Sequence, residues 1–365
     1  MSDPIDLDDD VVLRASHVSV EYRGDTPTRA VRDVSLELRR GEVLGIAGES
    51  GCGKSTLAYA LTNLLQPPAE LVAGSIEYAG SDGSGPIDLM ALDPAELRDF
   101  RWSKVSMVFQ GAMNSLNPVT NLRRQFGDIF KAHRPDMTAA DRESRGRELL
   151  EKVGIDADRI RSYPHELSGG MRQRVGIAMA LALDPEIIVM DEPTTALDVV
   201  VQREILEEIK ELQRELGLSI IFITHDLSLL LELSDRIIIM YAGEIVENAR
   251  SVDIGSRPAH PYSEGLLRSF PELEGERLDL KGIPGAPPDL REPLPGCAFA
   301  PRCPFAFGPC TTVHPELRRP EHLGGDLIPD PDWTVACHLH DPALREGPIP
   351  EEIIMGLPIP AGSSA

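Results

Sequence analysis

Apolar and polar residues alternate along Val11–Tyr22 and again along Ala30–Leu38, the period-two pattern of antiparallel strands with one buried face. Val43–Ala47 is a short apolar run ending in glycines, so a strand, a glycine loop and a helix are expected in that order. Between Pro67 and Ser162 the pattern turns charged and helix-rich, with helices expected at Leu122–Lys131 and Ala139–Val153 and breaks at Pro118 and Pro135. This reads as an inserted helical subdomain of about 88–165. Regular α/β character then returns. A helix is expected from Met171, an apolar strand at Ile187–Met190, and a helix with Val201, Ile205, Ile209, Leu212 and Leu216 on one face; Ser219–Thr224 is the next buried strand. Strands alternating with helices predict a parallel sheet covered on both faces, with chemistry at the carboxyl ends of its strands. After Arg250 the chain becomes proline-rich and irregular. The expected organisation is an acidic tail (1–10), an α/β domain (11–253), an extension (254–345) and a second tail (346–365).

Composition narrows the class. At 365 residues, the chain fits one large domain plus an appendage, and 42% hydrophobic content supports a buried interior rather than disorder. A net charge of −23 argues against a nucleic-acid partner bound by general phosphate neutralisation, so any phosphate binding must be local. The acidity fits either a solvated, self-repelling surface or a high-salt habitat. No run reaches the roughly 18–20 apolar residues that span a bilayer, and the N-terminus is acidic rather than signal-like. The chain is therefore expected in the cytosol unless a partner holds it to a membrane. Four of its five cysteines follow position 295; in a reducing compartment, clustered thiols bind metal more often than they pair.

Three motifs carry chemistry. Gly48-Glu49-Ser50-Gly51-Cys52-Gly53-Lys54-Ser55 fits GxxxxGK[ST] between a strand and a helix. In such a loop, glycine amides curl around phosphates, Lys54 reaches the β- and γ-phosphates, and the Ser55 hydroxyl ligates Mg²⁺, with Thr56 beside it. Cys52 is read as a small filler of the loop despite its place at a helix N-terminus. Ile187–Met190 delivers Asp191 and Glu192 to a strand end, where Asp191 can hold the Mg²⁺ shell and Glu192 can polarise the attacking water. Leu167-Ser168-Gly169-Gly170-Met171-Arg172-Gln173-Arg174 supplies a serine and two glycines at a helix start, a second anion-binding geometry on the same chain.

That last segment, lying between the phosphate loop and the Asp191–Glu192 strand, resembles the signature of ABC ATPases. Further motifs of that family follow in order. Gln110 after Met107-Val108-Phe109 resembles the Q-loop, Ala196-Leu197-Asp198 the D-loop, and His225 after Phe222-Ile223-Thr224 the switch histidine. Tyr22 is similar to the aromatic that stacks on adenine. The resemblance implies an α/β P-loop NTPase with an antiparallel β subdomain, an inserted helical subdomain and a small, irregular, cysteine-bearing C-terminal extension. It also implies ATP and Mg²⁺ as ligands, with Ser55, Gln110 and Asp191 around the metal and Glu192, His225 and Gln110 in catalysis. Two such domains would pair head-to-tail, bringing Ser168, Gly169, Gly170 and Asp198 of one to the nucleotide of the other.

Segments around Ser115-Leu116-Asn117-Pro118, His260-Pro261-Tyr262, Gly265-Leu266-Leu267 and Ile283-Pro284-Gly285, together with Gly111-Ala112-Met113 and Asn114, resemble the oligopeptide/dipeptide importer ATPases. None carries a catalytic logic of its own. This implies an ATPase at the cytoplasmic face of the membrane that energises peptide uptake. Its partners would be two permeases, an external binding protein and a second ATPase subunit, identical or paralogous. Oligosaccharide or nickel uptake is the alternative, and a soluble non-transport ATPase a second one. Cys297, Cys303, Cys310 and Cys337 are separated by five, six and 26 residues, unlike the tight pairs of zinc fingers. With the importers' cysteine-bearing extension as a resemblance, a 4Fe-4S cluster ranks first, structural Zn²⁺ second and free or paired thiols third.

Overall fold

Strands β1 (Val11–Tyr22) and β2 (Thr28–Arg39) pair antiparallel, and β4 (Ala69–Tyr78) and β5 (Ile87–Asp88) extend them to a four-stranded sheet of order β2-β1-β4-β5. The structure is a computed structural model that describes residues 10–81, 85–111, 115–195, 197–269, 282–320, 330–345, 347–350 and 353. Residues 1–9 of the expected N-terminal tail, Ala112, Met113, Asn114, Ala196 and most of the tail from 346 lie outside the described residues.

The second sheet has seven strands. Its parallel heart is formed by β3 (Val43–Ala47), β6 (Val105–Val108), β7 (Ile187–Asp191), β8 (Ser219–Ile223) and β9 (Arg236–Tyr241). An antiparallel edge follows, made of β10 (Glu244–Arg250) and β11 (Thr334–Val335), giving the order β11-β10-β9-β3-β8-β7-β6. The apolar run of β7 still alternates in what it faces: Ile187 and Val189 join the cluster under the antiparallel sheet, whereas Ile188 and Met190 join the helical one.

Nine helices among the described residues complete the fold: α1 (Lys54–Leu61), α2 (Pro94–Phe100), α3 (Leu122–His133), α4 (Ala139–Lys152), α5 (Gly169–Ala180), α6 (Val199–Leu216), α7 (Leu227–Leu233), α8 (Ser251–Ser256) and α9 (Pro261–Arg268). Asp93, Thr138 and Asp198 cap α2, α4 and α6 by accepting first-turn amides, as their short oxygens favour. Gly217, with φ 65°, ends α6. Helix α6 buries Ile205, Leu206, Ile209 and Leu212, the expected face shifted at its end, where Leu216 is 37% exposed.

Three strands, β4, β5 and β6, stand where the charge pattern predicted helix. Strand β4 exposes Val72, Ala73 and Gly74 in its middle and buries Glu77, so it shows no clean period of two, and β6 is only four residues long, too short for its period to register against charged neighbours. The extension is irregular but is not a separate body. Trp333 is fully buried with Ala298, Phe299 and Val335 in the same cluster as the central sheet. Such a buried tryptophan contributes on the order of 3–5 kcal/mol relative to alanine. Its indole donates to the fully buried Glu247 of β10 at 3.1 Å, and Glu247 also accepts the amides of Ala259 (2.7 Å) and His260 (3.0 Å). Burial raises the Glu247 pKa, opposed by these donors.

Candidate functional site

The loop between β3 and α1 needs its glycines. Gly48 (φ 150°), Gly51 (φ 81°) and Gly53 (φ 106°) all sit where L side chains are strained. A Cβ on Gly48 would lie 2.3 Å from the Met240 carbonyl oxygen, and one on Gly53 would lie 2.2 Å from that of Ala30. Gly53 precedes α1 without a side-chain cap, so the first amides of the helix are left for a ligand. Lys54 is 5% exposed and donates to the carbonyls of Gly48 (2.6 Å) and Glu49 (3.0 Å). The Cys52 thiol is buried and its pKa is raised by desolvation, which suits a filler of the loop rather than a nucleophile.

Strand β7 brings its carboxylates to the same place. The Ser55 hydroxyl donates to Asp191 Oδ1 at 3.0 Å, while Asp191 Oδ2 is buried with no hydrogen-bond partner. Burial raises the Asp191 pKa, with Glu192 adding to the effect and Ser55 and Lys54 opposing it. An orphaned carboxylate oxygen beside a serine hydroxyl fits two ligands of a Mg²⁺ ion that takes its others from phosphate and water. Glu192 has a left-handed backbone (φ 45°), an outlier held by its amide's bond to the Ile223 carbonyl at 2.8 Å. Its carboxylate gathers Gln110 Nε2 (3.2 Å), Thr195 Oγ1 (2.9 Å) and His225 Nδ1 (3.3 Å). Thr195 was not anticipated, although it lies three residues from Glu192.

Of these groups Lys54, Ser55, Gln110 and Glu192 line a cleft of about 290 Å³ together with Tyr22, Ser50, Gly51, Gly53, Thr56 and Leu290. The Tyr22 hydroxyl is 3.0 Å from that of Thr56, which ties this strand-end ring to α1. Ser168, Gly169, Gly170 and Asp198 are elsewhere. They line a separate cleft of about 600 Å³ that shares no residue with the first. There Ser168 caps α5 by accepting the Met171 amide at 3.2 Å, and Gly170 leaves room for Val201, which a Cβ would approach to 2.8 Å. One chain thus carries a phosphate loop with its carboxylates and, apart from them, a glycine-rich helix start.

Residues 31–195 match the family described as ABC transporter, and residues 246–310 match the one described as oligopeptide/dipeptide transporter, C-terminal region. A dipeptide transport ATP-binding protein of Bacillus subtilis is 42% identical over 328 residues, covering 89% of this chain and 93% of its own length. The chain belongs to the ATP-binding subunits of ABC transporters, in the oligopeptide/dipeptide subfamily. A probable peptide ABC transporter ATP-binding protein of Sinorhizobium fredii is 43% identical over 314 residues, 84% of this chain and 91% of that protein. The fold is likewise similar to a dimeric post-hydrolysis ATP-binding cassette bound to ADP and Pi, with a TM-score of 0.57 and 30% identity over 66% of this chain and 98% of that one.

The subfamily's C-terminal residues acquire a physical role in this ABC subunit. His260 caps α9 by accepting the Tyr262 amide on Nδ1 at 3.0 Å, which requires a neutral ring; burial lowers its pKa to about 3. Pro261 occupies the first helical turn, where no amide is missed. The Tyr262 hydroxyl then accepts the amide of Glu49 in the phosphate loop at 2.8 Å.

The four cysteines of the extension are unpaired. Burial, aided by neighbouring thiols, pushes Cys297 up to about 11 and Cys303 to about 12, and raises Cys337. Cys310 is buried and its carbonyl accepts the Cys297 amide at 2.9 Å. Among the described residues, however, no three or more His, Cys, Asp or Glu side chains form a group able to hold a metal ion. The 4Fe-4S cluster expected from the sequence, and the Zn²⁺ alternative, find no support in this arrangement.

Proposed function

We propose that this subunit hydrolyses ATP to energise the uptake of di- or oligopeptides across the cytoplasmic membrane, working at its cytoplasmic face. Its partners in that reading are two permeases, an external binding protein and a second ATPase subunit. The observation that carries it is the unpartnered Asp191 oxygen beside Ser55, next to a Glu192 carboxylate aimed by Gln110, Thr195 and His225. No helix among the described residues is long and apolar enough to cross a membrane, so transport requires a spanning partner.

On ATP binding, Lys54 exchanges the carbonyls of Gly48 and Glu49 for the β- and γ-phosphates. Ser55 and Asp191, with Gln110 at the edge of the cleft, would hold Mg²⁺, which when bound would neutralise charge on the phosphates. Glu192 orients the attacking water, and His225 and Gln110 hold Glu192 in place. Tyr22 stacks on adenine. Ser168, Gly169 and Gly170, with Asp198 behind them, bind the γ-phosphate held by the opposing subunit, which explains why they occupy their own open cleft. Loss of the γ-phosphate removes the shared ligand and opens the pair. The peptide relatives support the substrate class. In vesicles holding the permeases and binding protein, ATP should drive import of labelled peptide; import of an oligosaccharide or of nickel, with none of peptide, would contradict the assignment.

The permease is proposed to dock on the helical insertion near Gln110. Arg123, Arg124, Asp128 and Lys131 are exposed on α3, whose other face buries Leu122, Phe126 and Phe130. Alanine at Arg124 and Lys131 together should lower uptake per ATP hydrolysed by about tenfold, the size of an ordinary coupling energy. Uptake and hydrolysis falling in strict proportion would count against this docking face. For the extension, an iron–sulfur cluster or zinc is a reading of donor type alone: four thiols, one buried and three half-buried, are the donors that suit a soft metal that deprotonates them. Brown protein with stoichiometric iron and sulfide after anaerobic purification would support the cluster. Colourless protein with one zinc would support the second choice, and metal-free protein neither.

A further inference from the structure

The established motifs account for Lys54, Ser55 and the β7 carboxylates but not for an arginine that reaches the phosphate loop from 253 positions away. Arg302 lies in the extension, just before Cys303, and only 4% of its side chain is exposed. It makes a two-pronged pair with Glu49 of the loop, Nη1 to Oε2 at 2.6 Å and Nη2 to Oε1 at 2.9 Å. Its remaining capacity is also used. Nε donates to the Pro284 carbonyl (2.9 Å), Nη2 to that of Ile283 (3.3 Å) and Nη1 to the Tyr241 hydroxyl at the end of β9 (3.2 Å). The guanidinium also stands over the rings of Tyr241 and Phe299, 5.8 and 5.9 Å from their centroids.

Glu49 is therefore held at three points. Arg302 takes its side chain, Tyr262 accepts its amide, and its carbonyl accepts Lys54 Nζ at 3.0 Å. The segment that Arg302 anchors at 283–284 runs on past the loop. Pro287, Pro288 and Leu290 close a small void against Glu49, Gly51 and Cys52, and Leu290 also forms part of the wall of the nucleotide cleft. The Leu290 carbonyl accepts the Arg29 amide of β2 at 3.3 Å, so the segment spans from the buried arginine to the rim of the site.

We propose that the C-terminal extension is a positioning element of the nucleotide site, in which Arg302 and Tyr262 fix Glu49 and thereby preset the phosphate loop for ATP. A bidentate charged pair of this geometry resists shear as well as separation, and an unpaired Arg302 would be a buried charge without compensation. Arg302 touches neither phosphate nor the attacking water. Its loss should weaken nucleotide binding and leave the chemical step alone.

The inference rests on the cleft being the ATP site, and the test separates the two. Full-length wild-type chain, Arg302→Met, Arg302→Lys, Glu49→Gln and the Arg302→Met/Glu49→Gln double variant are titrated with Mg²⁺ and a fluorescent ATP analogue, after circular dichroism and thermal unfolding confirm folding. Steady-state hydrolysis is measured in the assembled transporter. Arg302→Met and Glu49→Gln should each raise Kd and KM for ATP about tenfold with kcat within about twofold, and the double variant should be no worse than either. Arg302→Lys, which keeps charge but loses the fork, should fall between. A folded Arg302→Met or Glu49→Gln with wild-type Kd overturns the inference, as do additive losses in the double variant or a fall in kcat alone. If Arg302→Met does not fold, Glu49→Gln decides by the same criterion, since its side chain is the more exposed partner. Wild-type chain that binds no analogue would instead overturn the site assignment, and the positioning role with it.

Discussion

Glu192→Gln should leave ATP binding intact and lower hydrolysis by about 10² to 10⁴-fold, the usual contribution of a positioned general base. Glutamine keeps the shape of the side chain and an oxygen that can still accept from Thr195, but it loses the charge that polarises water. Lys54, Ser55 and Asp191 keep their hydrogen bonds because none of these is made to Glu192. The same substitution should trap the nucleotide-bound pair of subunits, since binding persists while the γ-phosphate is not removed. Single-turnover hydrolysis together with nucleotide titration checks both halves. Hydrolysis at the wild-type rate would remove Glu192 from its assigned role.

Lys54→Ala should act earlier, weakening ATP binding by about a hundredfold, as expected when charge-assisted bonds to two phosphates are lost. In the nucleotide-free loop Lys54 satisfies the carbonyls of Gly48 and Glu49. The variant therefore also leaves these acceptors without a donor and loosens Glu49, which Arg302 and Tyr262 hold from the other side. The loss should appear in Kd for ATP and be far smaller for a nucleoside lacking phosphates. Equal affinity of the variant and the wild-type chain for ATP, by calorimetric titration, would contradict the role of Lys54.

The phosphate loop and the Asp191–Glu192 pair were legible because their chemistry is local. Gly48, Gly51 and Gly53 are demanded by a backbone that only a few residues determine, and β7 carries its carboxylates wherever it ends. The grouping of Gln110 and His225 on Glu192 was anticipated in its members, though not in its hydrogen bonds, and Thr195 escaped because the Pro193-Thr194-Thr195 run reads as ordinary turn chemistry. Residues of the extension were harder still. Arg302, Tyr262 and Leu290 come to the cleft through tertiary packing across more than 200 positions, and nothing in their local spacing points to a phosphate loop. The strands β4, β6 and β11 were hidden for a related reason, since short or half-exposed strands take their form from neighbours rather than from their own period. The cysteines run the other way. Their number and spacing suggested a metal, yet their placement forms no group of three or more that could hold one.

The central claim is that the cleft of Ser168–Gly170 and the cleft of Lys54 are halves of two different ATP sites, completed only by a second subunit. Photo-crosslinking in the assembled transporter, with an ATP analogue reactive at its γ-phosphate and Lys54→Ala in one of the two ATPase subunits only, the opposing one keeping its own phosphate-loop lysine, addresses it directly. Because the opposing subunit still holds nucleotide, the label should appear on the segment Leu167–Arg174 of the substituted subunit. Its disappearance from that segment when Lys54 is replaced would mean that the helix start serves the chain's own nucleotide, and the two-subunit site would be wrong.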